Sequence, residues 1–189
     1  MAEHVILFTG PMGAGKTTAI QSLSEIEVVS TEANNSERHI VDKATTTVAL
    51  DYGEILLDAQ EKVRLYGIPG QKRFDFMWSI LKKRAEGMVL LVNSDAPDPI
   101  EELIFYLDEF RELYDRGGVV VGVTRSDVVA GPGLSEFSDA LDRTNPGLVI
   151  PLFTVDPRDR DQMQDVLLAL IVNIEMRAAL GMMAAAESA

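Results

Sequence analysis

Short apolar runs alternate along the chain with longer stretches in which apolar residues recur every three or four positions. Runs of four to eight residues are typical of buried strands, and the three-to-four spacing is typical of helices with one buried face. The runs predict six strands, at residues 4–9, 47–52, 62–66, 88–93, 119–124 and 149–153. The stretches with apolar residues every three or four positions predict five helices, at residues 15–23, 73–84, 100–115, 135–142 and 158–180.

Alternation of strands with helices predicts an α/β fold with a largely parallel sheet. The exception lies between the second and third strands, where Gly53 and residues 58–60 are typical of a short turn and predict an antiparallel hairpin. Two helix starts carry Asp followed by Pro, at Asp98 and at Asp156, and each Asp is a predicted N-cap. The apolar stripe of the third helix predicts core positions at Leu103, Leu107, Phe110 and Tyr114.

One segment, residues 26–43, shows neither the apolar run of a strand nor the three-to-four spacing of a helix, and it is polar over residues 31–38. It is predicted to be a long loop, and long loops inside compact domains tend to be functional or disordered. No repeat, low-complexity tract or Pro/Gly/Ser linker divides the 189 residues. We therefore expect one domain over residues 1–189, ending in a C-terminal helix of about residues 158–180 and a short frayed tail.

Charge and composition narrow the classes of function. The 30 acidic and 17 basic residues give a net charge of −13, which would repel nucleic acid and anionic lipid, so no nucleic acid partner is expected. Cysteine is absent, which excludes disulfides, thiolate metal sites and thiol-linked lipid anchors. No signal segment or membrane-length apolar run is apparent. These features predict a cytoplasmic protein without a membrane anchor in the chain.

The first predicted strand and helix are joined by a Gly-rich segment with the spacing Gly, four residues, Gly, Lys, Thr. In this P-loop pattern, backbone N–H groups and the helix N-terminus surround phosphate oxygens, the lysine reaches the β and γ phosphates, and the hydroxyl ligates Mg²⁺. The strand before and the helix after it are the context that the pattern requires. The candidate phosphate-binding residues are Gly10, Met12, Gly13, Ala14, Gly15, Lys16, Thr17 and Thr18.

A second candidate segment, Thr124-Arg125-Ser126-Asp127, follows the buried strand at residues 119–124. It resembles the Asn/Thr-Lys-X-Asp guanine-recognition motif of GTPases, with Arg125 in place of the usual lysine. A carboxylate in the base plane accepts from both the ring N–H and the exocyclic amine of guanine, an edge that adenine lacks. Thr124, Arg125 and Asp127 are therefore the candidate base-binding residues.

A third segment, Gly67-Ile68-Pro69-Gly70-Gln71, resembles the Asp-X-X-Gly-Gln motif of small GTPases. The resemblance implies that the Gly70 N–H meets the γ-phosphate and that Gln71 is the catalytic residue, orienting the attacking water. Gly67 stands where the motif has the Asp that supports Mg²⁺. Upstream, Thr45 or Thr46 matches the switch threonine that closes on Mg²⁺; the pattern favours Thr45, with Thr46 nearly as good.

In order and spacing, these motifs resemble the Ras/Arf superfamily of small GTPases, most closely a bacterial Arf-like group often encoded beside Roadblock/LC7-type proteins. The resemblance implies a three-layer P-loop NTPase fold with a six-stranded, mostly parallel sheet and about five flanking helices. It implies GTP and GDP as ligands with Mg²⁺, slow GTP hydrolysis, and a Roadblock/LC7-type or other regulatory partner. The superfamily's Ser-Ala-Lys motif is not matched, but the backbone N–H of Val155 or Asp156 could meet the guanine O6.

Two departures leave other functions open. Gly67 in place of Asp, and Met12 where Ras-like proteins commonly have Gly, both predict slow unaided hydrolysis. They also permit a GTP-binding scaffold that hydrolyses nothing. A small-molecule kinase that uses ATP is a third alternative. Such enzymes need arginines clustered in a lid, and in this sequence Arg158 and Arg160 form the one close pair of arginines after the central strands.

Overall fold

In the computed structural model, the fold is described for residues 2–30, 50–57, 61–70, 75–128, 131–144, 146–147 and 149–187. Its strands are β1 (Ala2–Thr9), β2 (Val29–Ser30), β3 (Asp51–Leu56), β4 (Glu61–Gly67), β5 (Gly87–Asn93), β6 (Val119–Thr124) and β7 (Leu152–Thr154). Its helices are α1 (Lys16–Leu23), α2 (Asp75–Lys82), α3 (Pro99–Glu109), α4 (Arg111–Asp115), α5 (Leu134–Thr144) and α6 (Arg160–Glu187).

The strands form one sheet in the order β2-β3-β4-β1-β5-β6-β7. β4, β1, β5, β6 and β7 are parallel, whereas β2–β3 and β3–β4 are antiparallel pairs. The predicted mostly parallel α/β sheet and its one antiparallel hairpin are therefore confirmed. A short edge strand, β2, joins the six predicted strands, because Val29 and Ser30 pair with Tyr52 and Asp51. These two residues lie in the segment predicted to be a long loop, and residues 31–43 of that segment lie outside the described residues.

Helices cover both faces of the sheet, which gives the three layers that the fold class requires. Side chains of the central strand β5 alternate between the two cores: Met88, Leu90 and Val92 lie in one, and Val89 and Leu91 in the other. The first core is completed from α2, α3, α4 and α5, and the second from α1 and α6. β5 and β6 are buried along their whole length, as expected for central parallel strands.

The predicted third helix is two helices. Asp98 caps the first as expected, since its side chain accepts from the Glu101 N–H at 3.1 Å. The chain leaves helical geometry at Phe110 (φ −107°, ψ 30°), and α4 begins at the next residue. The Phe110 ring is fully buried, with its centroid 5.5 Å from that of Trp78. The predicted stripe of Leu103, Leu107, Phe110 and Tyr114 is nonetheless buried throughout.

Several boundaries differ from the prediction. The C-terminal helix α6 runs to Glu187, whereas the prediction ends it at about residue 180. Gly53 lies inside β3 rather than in a turn, and the glycine there is explained by packing: a Cβ would come within 2.8 Å of Ile20, where α1 packs on the strand. The last strand starts later than predicted, and the Pro151 carbonyl before it accepts from the Val121 N–H. The cap of α6 is Asp159, not Asp156, because Asp159 Oδ1 accepts from the N–H groups of Asp161 and Gln162.

Among the described residues, no helix combines the length and the apolar character that crossing a membrane would require.

Candidate functional site

The Gly-rich segment links β1 to α1, at the carboxyl edge of the parallel strands, where ligands of such sheets bind. Gly10, Gly13 and Gly15 have φ values of 132°, 83° and 89°, which side chains of L-residues rarely adopt. A Cβ on Gly10 would lie 1.9 Å from the Leu91 carbonyl oxygen. Gly15 is the N-cap of α1 and offers no side chain to its first N–H groups, so a ligand can accept from them.

Lys16 is held inside this loop. Its Nζ donates to the carbonyl oxygens of Gly10 at 2.8 Å and of Pro11 at 2.7 Å. Burial lowers the pKa of Lys16 to about 8, while the negative charge of Asp51 acts in the opposite direction. The ammonium group is therefore directed into the loop and is poorly solvated, as a phosphate-binding lysine needs to be.

Next to it, the Thr17 hydroxyl donates to Asp51 Oδ2 at 2.5 Å. Asp51 is the first residue of β3, which lies two strands away from β1 in the sheet. Sequence reasoning missed this carboxylate, because it named no residue in place of the Asp missing at Gly67. The predicted hairpin gave no signal for it, because a strand at residues 47–52 followed by a turn at Gly53 places Asp51 beside the turn, whereas in the structure Asp51 pairs with Gly67 at the far end of the hairpin.

The donor set beside the P-loop fits Mg²⁺ in kind: a hydroxyl from Thr17 and a carboxylate from Asp51 are hard oxygen ligands. Within the described ranges, no group of three or more His, Cys, Asp or Glu could hold a metal ion by itself. A site that holds Mg²⁺ together with phosphate oxygens needs only one or two protein carboxylates, so this finding agrees with such a site.

The segment after β6 is tied to the P-loop. Thr124 Oγ1 lies 3.2 Å from Asn93 Oδ1, and Asn93 Nδ2 donates to the Met12 carbonyl at 3.4 Å. Arg125 has a left-handed backbone (φ 60°) and donates through Nη2 to the Gly13 carbonyl at 3.2 Å. These bonds fix the position of the candidate base-binding segment relative to the candidate phosphate-binding loop.

Two residues of this connection were not anticipated from the sequence. Asn93, at the end of β5, is the bridge between Thr124 and Met12. Asp95 accepts from Arg125 Nη1 at 2.9 Å and so orients the guanidinium across the P-loop. Asn93 is the last residue of the fully buried parallel strand β5 and Asp95 lies two residues beyond it, at the carboxyl end of the strand, where site residues of α/β proteins commonly lie.

A cleft of about 350 Å³ joins these elements, a volume within the range of small-molecule sites. Its walls come from the P-loop and α1, from the segment after β6, and from the segment between β7 and α6. The residues that line it are Gly13, Ala14, Gly15, Thr18, Thr124, Arg125, Asp127, Val128, Val155, Asp156, Pro157 and Arg158.

The segment between β7 and α6 differs in detail from the expectation. The Val155 N–H donates to the Val123 carbonyl within the sheet, and the Asp156 N–H donates to Gln162 Oε1 at 2.9 Å. Both N–H groups expected to meet a guanine O6 thus have partners inside the chain. Asp156 instead accepts from the Arg158 guanidinium, which lowers the pKa of Asp156 to about 2.

Gly70 lies against the P-loop: a Cβ there would come within 2.1 Å of the Gly10 carbonyl oxygen. The Tyr106 hydroxyl fixes this turn by donating to the Gly70 carbonyl at 2.7 Å. Met12 is at the loop tip, with 77% of its surface exposed. The candidate catalytic Gln71 and the candidate metal ligands Thr45 and Thr46 lie outside the described residues.

The fold and the site define the class: the chain is a nucleotide-binding P-loop protein of the α/β type. Residues 26–142, more than half of the chain, match the family described as "Conserved hypothetical ATP binding protein", and the chain belongs to that family. The matched region begins after the P-loop, so the loop itself is an independent indication of phosphate binding.

One curated relative is the Intraflagellar transport protein 22 of Chlamydomonas reinhardtii. It is 24% identical over 129 residues, which cover 65% of this chain and 64% of that protein. The chain therefore spans less than two thirds of the length of this relative.

Proposed function

We propose that the protein is a guanine-nucleotide switch that binds GTP and GDP with Mg²⁺ and hydrolyses GTP slowly. One observation carries the proposal: the P-loop and Asp127 line the same cleft. The P-loop is suited to phosphates, and a carboxylate at the far end is suited to the N1–H and amine edge of guanine. Arg125, bonded to Gly13, keeps the two ends at a fixed separation.

The identity of the base is tested by competition, because the family description names ATP and a P-loop alone accepts either nucleotide. Unlabelled GTP, GDP and ATP displace a fluorescent GDP analogue from the full chain with Mg²⁺ present. We expect GTP and GDP to compete at concentrations at least about a hundredfold lower than ATP, since a site built to hydrogen-bond one base edge rejects a base that lacks it. Preference for ATP would contradict the guanine proposal and favour a kinase or another ATP-dependent function.

The proposed Mg²⁺ would be held beside Thr17, with Thr45 or Thr46 as the further hydroxyl that the resemblance implies. When bound, the ion would neutralise charge on the phosphate oxygens. Lys16 and the N–H groups at the start of α1 would share that role from the protein side.

The lowered pKa of Lys16 predicts a pH dependence of nucleotide binding. Phosphate beside Nζ favours the ammonium form, so the pKa of Lys16 rises on binding and the complex takes up a proton where free Lys16 is neutral. Affinity for GDP should therefore be constant below pH 8 and fall as the pH rises above about 8, by up to about tenfold per pH unit. Calorimetry at pH 8.5, in two buffers of different ionisation enthalpy, measures the proton uptake; equal heats in both buffers would contradict this assignment.

Hydrolysis is proposed to be slow without a partner, because Met12 lies in the P-loop beside the proposed phosphate site. We expect unaided turnover of the order of 10⁻⁴ s⁻¹ or below. Gln71→Leu should lower it by at least about tenfold and leave GTP affinity unchanged, because Gln71 is proposed to orient water rather than to bind nucleotide. Single-turnover phosphate release measures the rate.

The matched control is Gln164→Leu, which makes the same change at an exposed position of α6. It should behave as the parent protein does. A fast unaided rate, or a rate that Gln71→Leu does not alter, would argue against this catalytic role. No hydrolysis by the parent, alone or with a candidate Roadblock/LC7-type partner, would favour the GTP-binding scaffold. A large stimulation of GTP hydrolysis by such a partner would support the regulated switch. A partner that orders the segments around Thr45 and Gln71 would place charge where the transition state needs it.

A further inference from the structure

The position that should carry a Mg²⁺-supporting carboxylate is Gly67, the last residue of β4, which has no side chain. In the antiparallel ladder between β3 and β4, the residue paired with Gly67 is Asp51. A carboxylate therefore stands directly across the ladder from the place where the resemblance expects one. It comes from the neighbouring strand rather than from the motif itself.

The local packing gives Asp51 the space that a side chain at Gly67 would need. A Cβ built on Gly67 would lie 3.0 Å from both Cβ and Oδ2 of Asp51 and 2.9 Å from Ile20 Cδ1. Contacts this short are not accommodated in a close-packed interior without displacement. The two positions are thus alternatives for one side chain, and in this protein the side chain belongs to Asp51.

The Asp51 carboxylate is also directed at the P-loop. Oδ2 accepts from the Thr17 hydroxyl at 2.5 Å, and its charge acts on the Lys16 ammonium. Thr17 is the hydroxyl that ligates Mg²⁺ in the P-loop pattern. The carboxylate therefore lies where it can accept from water or from the hydroxyl in the coordination shell of an ion bound to Thr17.

We propose that Asp51 is the acidic residue that supports Mg²⁺ in this protein and so replaces, from β3, the carboxylate absent at Gly67. The proposal rests on the function proposed above, since the ion would be bound together with a nucleotide. Residues that orient a metal's ligands typically change metal affinity by about 10- to 100-fold when they are mutated. A purely structural role for the Thr17–Asp51 bond would not produce that change.

The test compares Asp51→Asn with the parent protein. Asn keeps the shape of the side chain and an oxygen that accepts from Thr17, but it removes the charge. Dissociation of a fluorescent GDP analogue is timed in excess Mg²⁺ and in excess EDTA. The parent should release GDP at least about tenfold more slowly in Mg²⁺, whereas the variant should release it at similar rates in both. In EDTA, the two proteins should agree.

A second readout is the binding of Mn²⁺ to the GDP complex, monitored by electron paramagnetic resonance. It depends neither on release of GDP nor on hydrolysis of GTP. Asp51→Asn should raise the Mn²⁺ concentration at half-saturation by at least about tenfold. The matched control is Glu54→Gln, which removes one negative charge from the same strand, at a residue that pairs with Lys62. The control should bind Mn²⁺ as the parent does.

A second variant, which moves the carboxylate to the other strand, tests the proposal even if Asp51→Asn is unfolded or distorted. Exchanging the two residues, Asp51→Gly with Gly67→Asp, removes the contacts with the Asp51 side chain and leaves only the end of the Ile20 side chain close to the new Cβ. The exchange returns the carboxylate to the motif position and should restore the Mg²⁺ effect. A parent-like Mg²⁺ response in Asp51→Asn, or no Mg²⁺ effect in a parent that binds GDP, would overturn the inference alone. Failure of the parent to bind guanine nucleotide would overturn the proposed function instead.

Discussion

Lys16→Ala should abolish tight binding of both GTP and GDP, lowering affinity by at least about a hundredfold for GTP and at least about tenfold for GDP. Hydrogen bonds to charged groups contribute roughly 1.5–3 kcal/mol each, and the ammonium group is proposed to reach two phosphates. The side chain is already inside the loop, bonded to the Gly10 and Pro11 carbonyls, so no rearrangement of the backbone is needed to present it. GTP offers Lys16 both the β and the γ phosphate, whereas GDP offers only the β phosphate, so the loss should be larger for GTP than for GDP.

Equilibrium titration with fluorescent GDP and GTP analogues measures this loss, and thermal unfolding checks that the variant is folded. Lys83→Ala is the matched control, because Lys83 is exposed in the segment after α2 and is distant in sequence from the loop. The control should bind as the parent does. A folded Lys16→Ala protein with unchanged affinity would rule out the P-loop as the phosphate site and would remove the basis of the proposed function.

The fold followed from the sequence wherever burial produces a simple pattern. β5 and β6 are continuous apolar runs because both of their faces are covered, and the prediction at residues 119–124 matches β6 at both ends. The P-loop was equally clear, since its glycines are required by backbone geometry: Gly10, Gly13 and Gly15 all have positive φ. In the two strands burial alone determines the residue type, and in the P-loop backbone geometry alone determines it.

Boundaries were missed where two local signals compete or where tertiary packing decides. Gly53 is a residue type typical of turns, but it lies in β3, where a glycine is needed because α1 packs closely on the strand. Asp156 and Asp159 are both good N-caps, and Asp156 is instead held by Arg158. The break at Phe110 has no Pro or Gly to announce it, and it accompanies burial of the ring against Trp78.

In the site, the motifs indicated candidate residues that lie close together in the sequence, and they did not indicate the residues that act from a neighbouring strand. Asn93 and Asp95 support the Thr124–Asp127 segment from the neighbouring strand, and only the parallel pairing of β5 with β6 brings them there. Asp51 meets Thr17 because of its register opposite Gly67. A shift of one residue in that register would turn its side chain to the other face of the sheet.

Asp127→Asn should convert the proposed guanine preference into one for xanthine nucleotides. The parent carboxylate accepts from both N1–H and the exocyclic amine of guanine. Asn offers one acceptor and two donors, so a donor faces the guanine amine and one hydrogen bond becomes a repulsive contact. An unpaired polar group in a site costs about 1–3 kcal/mol, so GTP affinity should fall at least about tenfold. Xanthine carries a carbonyl oxygen in place of the amine and can accept from the Asn donor.

In Asp127→Asn, the affinity for GTP falls and the affinity for XTP rises. The ratio of GTP affinity to XTP affinity should therefore change by about a hundredfold or more, since two such contacts are exchanged. Competition titrations of GTP, XTP and ATP on the parent and the variant measure that ratio. Asp142→Asn, the same change at an exposed position of α5, is the matched control and should keep the parental order. Lys16 and the P-loop are untouched, so binding of XTP by the variant shows that the phosphate site is intact. A variant that binds GTP as the parent does would place base recognition at another residue, however well Lys16 holds the phosphates.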